Sequence, residues 1–319
     1  MNLYKDLKTF SKIDRAVIEV NGGCNYSCEM CPQSTGREKG FLKKMPLNQF
    51  KDIVTECVEH GATVINLEGS GEPTLNRNLP EYIRVVKEAG AKAYIFSNGL
   101  KTSGEFMKDI VDAGVDFYRF SIIGYDPLAY AKWMNSNKFY KVVDNLYSMR
   151  EYAKGTDSRI ASYHLILDNN NVEYELQQYK KIANGGLTEI WKMHNWSGEY
   201  TEGYTRKGTK RTCGRPFSPD IVVRAGGNDG HTAAVHPCCQ VLGNDSAAVL
   251  GHLDTHSIDE VLNGQDYNSL REGHLKGEYP DFCRDCDFLL EDPEVLVYSN
   301  HATVNKMHGT SFSLEDFKT

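Results

Sequence analysis

No uninterrupted apolar run in the sequence approaches the roughly 18 residues that a membrane-spanning helix requires. The N-terminal segment, Met1 to Phe10, is polar and lacks the apolar core of a secretory signal peptide. Positive charge is not in excess either: the formal net charge is −7 at pH 7, which argues against a general nucleic-acid or anionic-membrane binder. The sequence therefore predicts a cytoplasmic protein with no nucleic-acid or membrane partner.

Cysteine, by contrast, is abundant. The chain has nine cysteines, an odd number that fits a disulfide framework poorly. In a reducing compartment cysteines more often bind metal or act in redox chemistry. Their distribution is uneven: a first group near the N-terminus, Cys57 alone, and a second group at Cys213, Cys238, Cys239, Cys283 and Cys286. Cys57 falls on the apolar face of a predicted helix, where core packing is the expected role.

The first group is Cys24, Cys28 and Cys31, separated by three and then two residues. A four-iron cluster needs four ligands, and this loop offers three thiolates. One iron would therefore stay open for an outside ligand. The alternatives are a zinc site or buried thiols, although zinc usually takes paired C-x-x-C ligands or added histidines, and no fourth ligand lies nearby in the sequence.

Strand and helix patterns alternate around this loop. The predicted strands are 15–20, 63–67, 92–96, 116–122, 160–167 and 188–193, and the predicted helices are 47–60, 79–89, 103–113, 137–152 and 172–183. Such alternation implies parallel strands joined by crossover helices. Six units are fewer than the eight of a closed barrel. We expect an α/β fold, a partial (β/α)6 TIM-like barrel, with functional groups at the carboxyl ends of the strands.

Beyond residue 196 the pattern changes. Segments 220–224 and 231–235 flank a Gly- and Asn-rich turn, which predicts a hairpin, and short helices are predicted at 257–262 and 267–274. The expected divisions are a core barrel at 1–196, a connector at 197–212, a small cluster-binding domain at 213–288 and a tail at 289–319.

The C-x-x-x-C-x-x-C loop after a first strand resembles the radical S-adenosylmethionine (SAM) superfamily. Gly69-Ser70-Gly71-Glu72-Pro73 looks like that family's GGE motif, which meets the amino group of SAM, and Ser97-Asn98-Gly99 is similar to its TNG segment. The resemblance implies a [4Fe–4S] cluster on Cys24, Cys28 and Cys31. It also implies that SAM is contacted by Gly71, Glu72, Ser97, Asn98, Ser121 and Ile166.

The second cysteine group resembles the SPASM/twitch extension of some radical SAM enzymes, which binds an auxiliary [4Fe–4S] cluster. The implied ligands are Cys213, Cys238, Cys283 and Cys286. Cys238 is preferred to Cys239 because the family's ligand follows proline, as Pro237 does here. Cys239 would then pack or lie near the substrate, where it is a candidate hydrogen donor. The alternative for the whole group is a structural zinc ribbon.

The resemblance implies a radical SAM oxidoreductase that takes a hydrogen atom from a small polar, amino sugar-like metabolite, with flavodoxin or ferredoxin as reductant. One alternative is an epimerase or crosslinking maturase of a ribosomally made peptide. Only Met1 to Gly23 precede the cluster loop, which makes a peptide leader domain less expected. Another alternative is an iron–sulfur electron-transfer protein. Candidate pocket residues at strand ends are Glu68, Asn98, His164 and His194.

Overall fold

The computed structural model describes residues 10–36, 38–200, 212–242, 246–290, 296–301 and 311–312. Six strands and six helices build the N-terminal part in the predicted alternation. The strands are β1 Arg15–Ile18, β2 Val64–Asn66, β3 Lys92–Ser97, β4 Phe117–Ser121, β5 Arg159–Ile166 and β6 Leu187–Lys192. The helices are α1 Leu47–Glu59, α2 Leu79–Glu88, α3 Gly104–Asp112, α4 Pro127–Met134, α5 Phe139–Tyr152 and α6 Val172–Ala183.

The sheet runs β1 to β6 in chain order, and every neighbouring pair is parallel. Parallel neighbours in chain order arise from crossover helices on one face, so the predicted partial barrel is confirmed, and it is not closed. None of the helices in the described ranges is long and apolar enough to cross a membrane.

The C-terminal part contributes further strands and helices. They are β7 Thr212–Cys213, β8 Asp220–Val223, β9 Ala234–His236, β10 Gly251–His252, α7 Ile258–Leu262, α8 Gln265–Lys276, α9 Asp281–Arg284, β11 Leu296–Ser299 and β12 Ser311–Phe312. The predicted hairpin is β8–β9, and it extends the barrel sheet because β8 pairs in parallel with β1. At the opposite edge β11 pairs antiparallel with β6. Most of the expected connector, 201–211, and much of the expected tail lie outside the described residues.

Helix α1 illustrates how sequence spacing forms the outer layer. Its buried residues recur at intervals of three and four and include Phe50, Ile53, Val54 and Cys57, the spacing of one helical face. Cys57 has no exposed surface, which confirms its packing role. Helix α4 has no counterpart in the sequence prediction, although Asp126 caps it by accepting a hydrogen bond from Ala129 N at 2.7 Å and Pro127 occupies its first turn.

Alternation along the strands separates an inner face from a helix-covered outer face. On the inner face the rings of Tyr94 and Phe117 lie 5.2 Å apart. His164 lies on the outer face, stacked on Tyr179 of α6 with ring centroids 4.4 Å apart. Its two ring nitrogens bond Ile122 O at 2.8 Å and Ser162 Oγ at 3.0 Å, and burial lowers its pKa to about 3. The prediction that His164 lines a pocket is therefore wrong, because the side chain is a neutral structural group.

Candidate active site

The first cysteine loop is fixed on helix α4. Tyr26 shares a hydrogen bond with Tyr130 at 3.1 Å between their hydroxyls, and Glu29 N donates to Trp133 O at 2.9 Å. The Cys28 sulfur lies 3.7 Å from the sulfur of Met134. These contacts place the loop at the carboxyl end of β1, the edge of a parallel sheet where sites are expected.

The three thiols of this loop are partly exposed and sit close enough to influence one another. Burial raises the pKa of Cys24 to about 12, with smaller contributions from Glu72 and Cys31. Burial likewise raises the pKa of Cys28, and Cys31 and Cys24 add to the rise. Cys24 and Cys28 are therefore neutral thiols near pH 7, and iron binding must release their protons. Three cysteines on one loop supply the type and number of ligands that a SAM-binding iron–sulfur cluster uses.

The Gly69–Pro73 segment packs directly against the backbone that precedes Cys24. Glu72 N donates to Gly23 O at 2.8 Å, and Asn21 Nδ2 donates to Gly23 O at 2.6 Å and to Glu72 O at 3.0 Å. A Cβ atom on Gly71 would lie 2.7 Å from Gly23 O and would collide with Asn21 O. Glycine is therefore required at 71 because two backbones touch there.

Glu72 joins this segment to the one that follows β3. Its Oε1 accepts hydrogen bonds from Thr74 N at 3.0 Å, Thr74 Oγ1 at 2.5 Å and Ser97 Oγ at 2.7 Å, and its Oε2 accepts from Asn98 N at 2.8 Å. Asn98 Nδ2 in turn donates to Asn25 Oδ1 at 2.9 Å. The sequence-predicted residues Gly71, Glu72, Ser97 and Asn98 thus meet beside the cysteine loop. Within the described chain Oε2 accepts one bond, so it keeps a site for a further donor.

Glu19 is a residue of this site that sequence reasoning missed. Its Oε2 accepts from Ser70 N at 2.6 Å and Gly71 N at 3.3 Å, while its Oε1 accepts from Ala225 N at 3.2 Å. The fully buried Arg224 lies 3.9 Å away and donates to Val241 O at 2.8 Å. Glu19 therefore ties the Gly69–Pro73 segment to the end of β8. A buried carboxylate immediately after an apolar first strand was the available signal.

The two remaining predicted SAM contacts differ in accessibility. Ser121 is partly exposed at the end of β4. Ile166 is 1% exposed and shares the helix-facing side of β5 with His164 by strand alternation. An open cleft beside the ends of β4 and β5 is lined instead by Tyr125, Trp133, Leu167 and Glu175, among others. The role of Ile166 stays a prediction, and its side chain offers almost no surface.

The inner face of the barrel carries a charged and aromatic cluster. The Arg119 guanidinium lies over the rings of Phe96 and Tyr163, at 3.5 and 4.2 Å from their centroids. Arg119 pairs with Glu189 at 3.4 Å, and Trp191 Nε1 donates to the same carboxylate at 3.1 Å. Burial works to raise the pKa of Glu189, but its hydrogen bond with His301 and the Arg119 charge outweigh it, and the net shift is downward.

Glu68, just past β2, faces this cluster without a comparable ion pair. Asn66 Nδ2 donates to its Oε1 at 3.0 Å. Burial raises the pKa of Glu68, and Arg119 offsets part of that rise. A carboxylate whose pKa is raised is a stronger base than an exposed carboxylate. His194, in contrast, packs between the rings of Trp196 and Phe288.

Four cysteines of the second group line one pocket. Cys213, Cys238, Cys283 and Cys286 line it together with side chains that include Pro237 and Phe288. Burial is the largest cause of the raised pKa of each of these thiols, and for Cys213 the pKa is about 11. Four thiols around one pocket are the ligand set of an iron–sulfur cube.

Cys239 does not line that pocket. Its sulfur accepts hydrogen bonds from Arg215 Nη1 at 3.3 Å and Gln240 Nε2 at 3.7 Å. Burial is the largest cause of the raised pKa of Tyr163, and Cys239 adds to that rise. Cys239 therefore lies beside the wall of the auxiliary pocket and within electrostatic reach of Tyr163 on the inner barrel face.

Two family models match the chain in the same two regions. The model for the radical SAM superfamily matches residues 18–175, which contain the first cysteine loop and the Glu72 site. The chain belongs to the radical SAM superfamily. The model for an iron–sulfur cluster-binding domain, SPASM, matches residues 220–287. This radical SAM protein therefore uses SAM with a [4Fe–4S] cluster and carries an auxiliary iron–sulfur cluster, and the cysteine sites described above suit both.

Curated relatives match parts of this radical SAM protein. A probable GTP 3′,8-cyclase of Sulfolobus acidocaldarius is 28% identical over 183 residues, which are 56% of this chain and 55% of the relative. An S-adenosylmethionine-dependent nucleotide dehydratase of a Thermoplasmatales archaeon is 34% identical over 115 residues, 36% of this chain and 40% of the relative. The matched region thus spans about half of these relatives or less.

Solved structures share the fold over most of both chains. BtrN in complex with AdoMet and 2-DOIA aligns with a TM-score of 0.57 at 17% identity, covering 86% of this chain and 93% of BtrN. Native anSMEcpe with AdoMet and the Cp18Cys peptide has a TM-score of 0.58 at 14% identity and 87% coverage of each chain. Streptococcus suis SuiB bound to the precursor peptide SuiA has a TM-score of 0.64 at 11% identity, covering 82% of this chain and 67% of SuiB. At these identities the likeness is one of fold.

Proposed function

We propose that this radical SAM enzyme oxidises a small polar, amino sugar-like metabolite in its barrel. The observation that carries the proposal is the charged and aromatic cluster of Arg119 and Glu189 on the inner barrel face, in the same barrel that carries the SAM-type cysteine loop at its strand ends. Cys24, Cys28 and Cys31 would hold the first cluster, which with SAM would supply the radical chemistry that removes one hydrogen atom, and the four cysteines of the auxiliary pocket would hold a cluster able to serve as electron acceptor.

Oxidation of an alcohol or amine carbon also requires loss of a proton, and Glu68 is the proposed acceptor. Its carboxyl is partly buried, and its pKa is raised by that burial. The proton on the substrate oxygen or nitrogen passes to Glu68 as the new double bond forms. A raised pKa improves the carboxylate as a base near neutral pH.

Arg119 and Glu189 are the proposed groups that orient the substrate. Arg119 pairs with Glu189, and its guanidinium packs on two aromatic rings. The geometry of the pair is therefore fixed before a ligand binds. Hydroxyl and amino groups of a small metabolite can bond both members. A few fixed polar groups surrounded by aromatic side chains are typical of small-molecule pockets.

Two donors on the Cys239 sulfur favour oxidation over epimerisation. A cationic guanidinium and an amide both donate to this sulfur, which holds the side chain as an acceptor beside Arg215 and Gln240 and favours a structural role over that of a hydrogen donor to the substrate. The ligand 2-DOIA in the similarly folded BtrN structure supports a small molecule as substrate. The peptides in the anSMEcpe and SuiB structures support the second candidate, an epimerase or crosslinking maturase of a peptide.

The test is a screen of polar metabolites and peptides with reconstituted protein, SAM and flavodoxin or ferredoxin under anaerobic conditions. We expect 5′-deoxyadenosine above background with a metabolite that loses two mass units. In deuterated water, deuterium at the attacked carbon that depends on Cys239 would favour epimerisation instead.

Glu68→Gln separates proton transfer from radical formation. It should abolish product while 5′-deoxyadenosine still forms, because the hydrogen atom and the proton leave by different routes. Glu59→Gln, at an exposed position of α1, is the matched control and should turn over normally. Normal product yield with Glu68→Gln would remove Glu68 from the proposal.

A further inference from the structure

Arg215 occupies an unusual position for a cation, in the wall of the auxiliary cysteine pocket. It lies two residues after Cys213, and its guanidinium sits 5.6 Å from the ring centroid of Phe288. Burial lowers the pKa of His274, the other basic side chain in that wall, to about 4, so it is neutral near pH 7. Among the described residues that line the pocket, Arg215 is the one with a permanent charge.

The hydrogen bonds of Arg215 also suggest that a ligand in the pocket interacts with its guanidinium group. Nη1 donates to the Cys239 sulfur at 3.3 Å. Nε is buried and has no acceptor within the described residues, although a buried donor normally has one. The sulfur atoms of a bound cluster would supply an acceptor of the right kind.

We propose that Arg215 is a positioning residue that raises the reduction potential of the auxiliary cluster. Four thiolates already make the site negative, and a further electron adds to that charge. A cation and its N–H groups in a low-dielectric pocket therefore stabilise the reduced form more than the oxidised form. The inference rests on the auxiliary cluster and not on the proposed substrate, since the potential can be measured without any substrate.

The test is a redox titration of the reconstituted holoenzyme, followed by the electron paramagnetic resonance of each cluster. Arg215→Gln should shift the auxiliary equilibrium toward the oxidised form at least tenfold, a fall of about 59 mV for one electron. The auxiliary cluster of Arg215→Lys should have a reduction potential closer to that of the parent, because lysine keeps the positive charge. The SAM-binding cluster serves as the internal reference, and its reduction potential should not change.

Arg284→Gln is the matched control. Arg284 adjoins Cys283 in sequence, but its side chain is 58% exposed and pairs with Asp281, so water screens its charge. We expect less than a twofold shift for this variant. An unchanged potential in Arg215→Gln with both clusters present, or equal shifts in the two variants, would overturn the proposal.

If Arg215→Gln fails to retain the auxiliary cluster, a variant with a titratable side chain at position 215 tests the charge effect instead. In Arg215→His the charge at this position can be switched by pH. Its potential should rise more steeply from pH 8 to pH 6 than that of the parent. Parallel pH dependence in the two proteins would contradict a charge effect.

Discussion

The Oε2 atom of Glu72 accepts a hydrogen bond from the backbone N–H of Asn98 at 2.8 Å. This bond ties the segment after β2 to the segment after β3, 26 residues apart in sequence. Asn98 then bonds Asn25 of the cysteine loop, and Glu72 N bonds Gly23 O. The cysteine loop and both glycine-containing segments therefore form one hydrogen-bonded unit, and a change in any part should affect SAM binding.

Glu72→Gln should weaken SAM binding about tenfold or more, because charge-assisted bonds are roughly twice as strong as neutral ones. The NH2 group of the new glutamine would face the backbone N–H of Asn98, so two hydrogen-bond donors would oppose each other and this bond would be lost. Anaerobic SAM titration by calorimetry on iron-loaded protein measures the effect. Glu68→Gln is the control, since Glu68 bonds Asn66 and not this unit. Equal affinities in parent and Glu72→Gln would contradict a role for Glu72 at the SAM site.

Gly71→Ala should lower the iron content more than a substitution at a neighbouring glycine. Its Cβ would collide with Asn21 O and crowd Gly23 O at 2.7 Å, and so displace the backbone before Cys24. A Cβ on Gly23 meets nothing closer than 4.0 Å, which makes Gly23→Ala the matched control. Iron analysis should give about eight irons for Gly23→Ala, as two four-iron clusters require, and clearly fewer for Gly71→Ala. Full iron content in Gly71→Ala would show that the collision is relieved.

Strand and helix periodicity was sufficient to predict the partial barrel. The residues that meet around Glu72 were expected from the resemblance to the GGE and TNG motifs. The sequence was insufficient for Arg119 and Glu189, since the role of charged residues inside strands becomes visible only when the inner face of the barrel is assembled. The prediction that His164 lines a pocket was wrong because a shift of one residue along a strand moves a side chain from the inner face to the helix-covered face. The parallel pairing of β8 with β1 is a long-range contact that no local pattern encodes.

Cys238→Ala and Cys239→Ala should differ in iron content. Cys238 lines the pocket with Cys213, Cys283 and Cys286, and Cys239 does not. We expect about four irons per chain in Cys238→Ala and about eight in Cys239→Ala, measured against protein concentration by amino-acid analysis. The reverse result would assign the fourth ligand to Cys239.

Glu175 should make stability depend on pH. Burial raises its folded-state pKa from 4.5 to about 7, although its carboxylate accepts bonds from Leu167 N at 2.6 Å and Asp168 N at 3.0 Å. A raised carboxyl pKa stabilises the fold fully below 4.5, and this stability is lost as pH rises through about 7. The full shift corresponds to a loss on the order of 3–4 kcal/mol, at about 1.4 kcal/mol per pKa unit.

Melting temperatures of reconstituted protein between pH 5 and pH 8 test this dependence. The parent should lose more stability across the range than Glu175→Gln, whose amide does not titrate. Glu173→Gln, at an exposed position two residues earlier in α6, should behave like the parent. Identical slopes in the parent and Glu175→Gln would show that Glu175 is ionised throughout this range.

The most direct measurement is 5′-deoxyadenosine formation from SAM with dithionite under anaerobic conditions. The parent protein should form it, and the combined Ala substitution of Cys24, Cys28 and Cys31 should abolish it, because those thiolates hold the cluster that binds SAM. Cys283→Ala with Cys286→Ala should keep this product while substrate oxidation stops. A fully iron-loaded parent that forms no 5′-deoxyadenosine would contradict reductive SAM cleavage and leave electron transfer as the function.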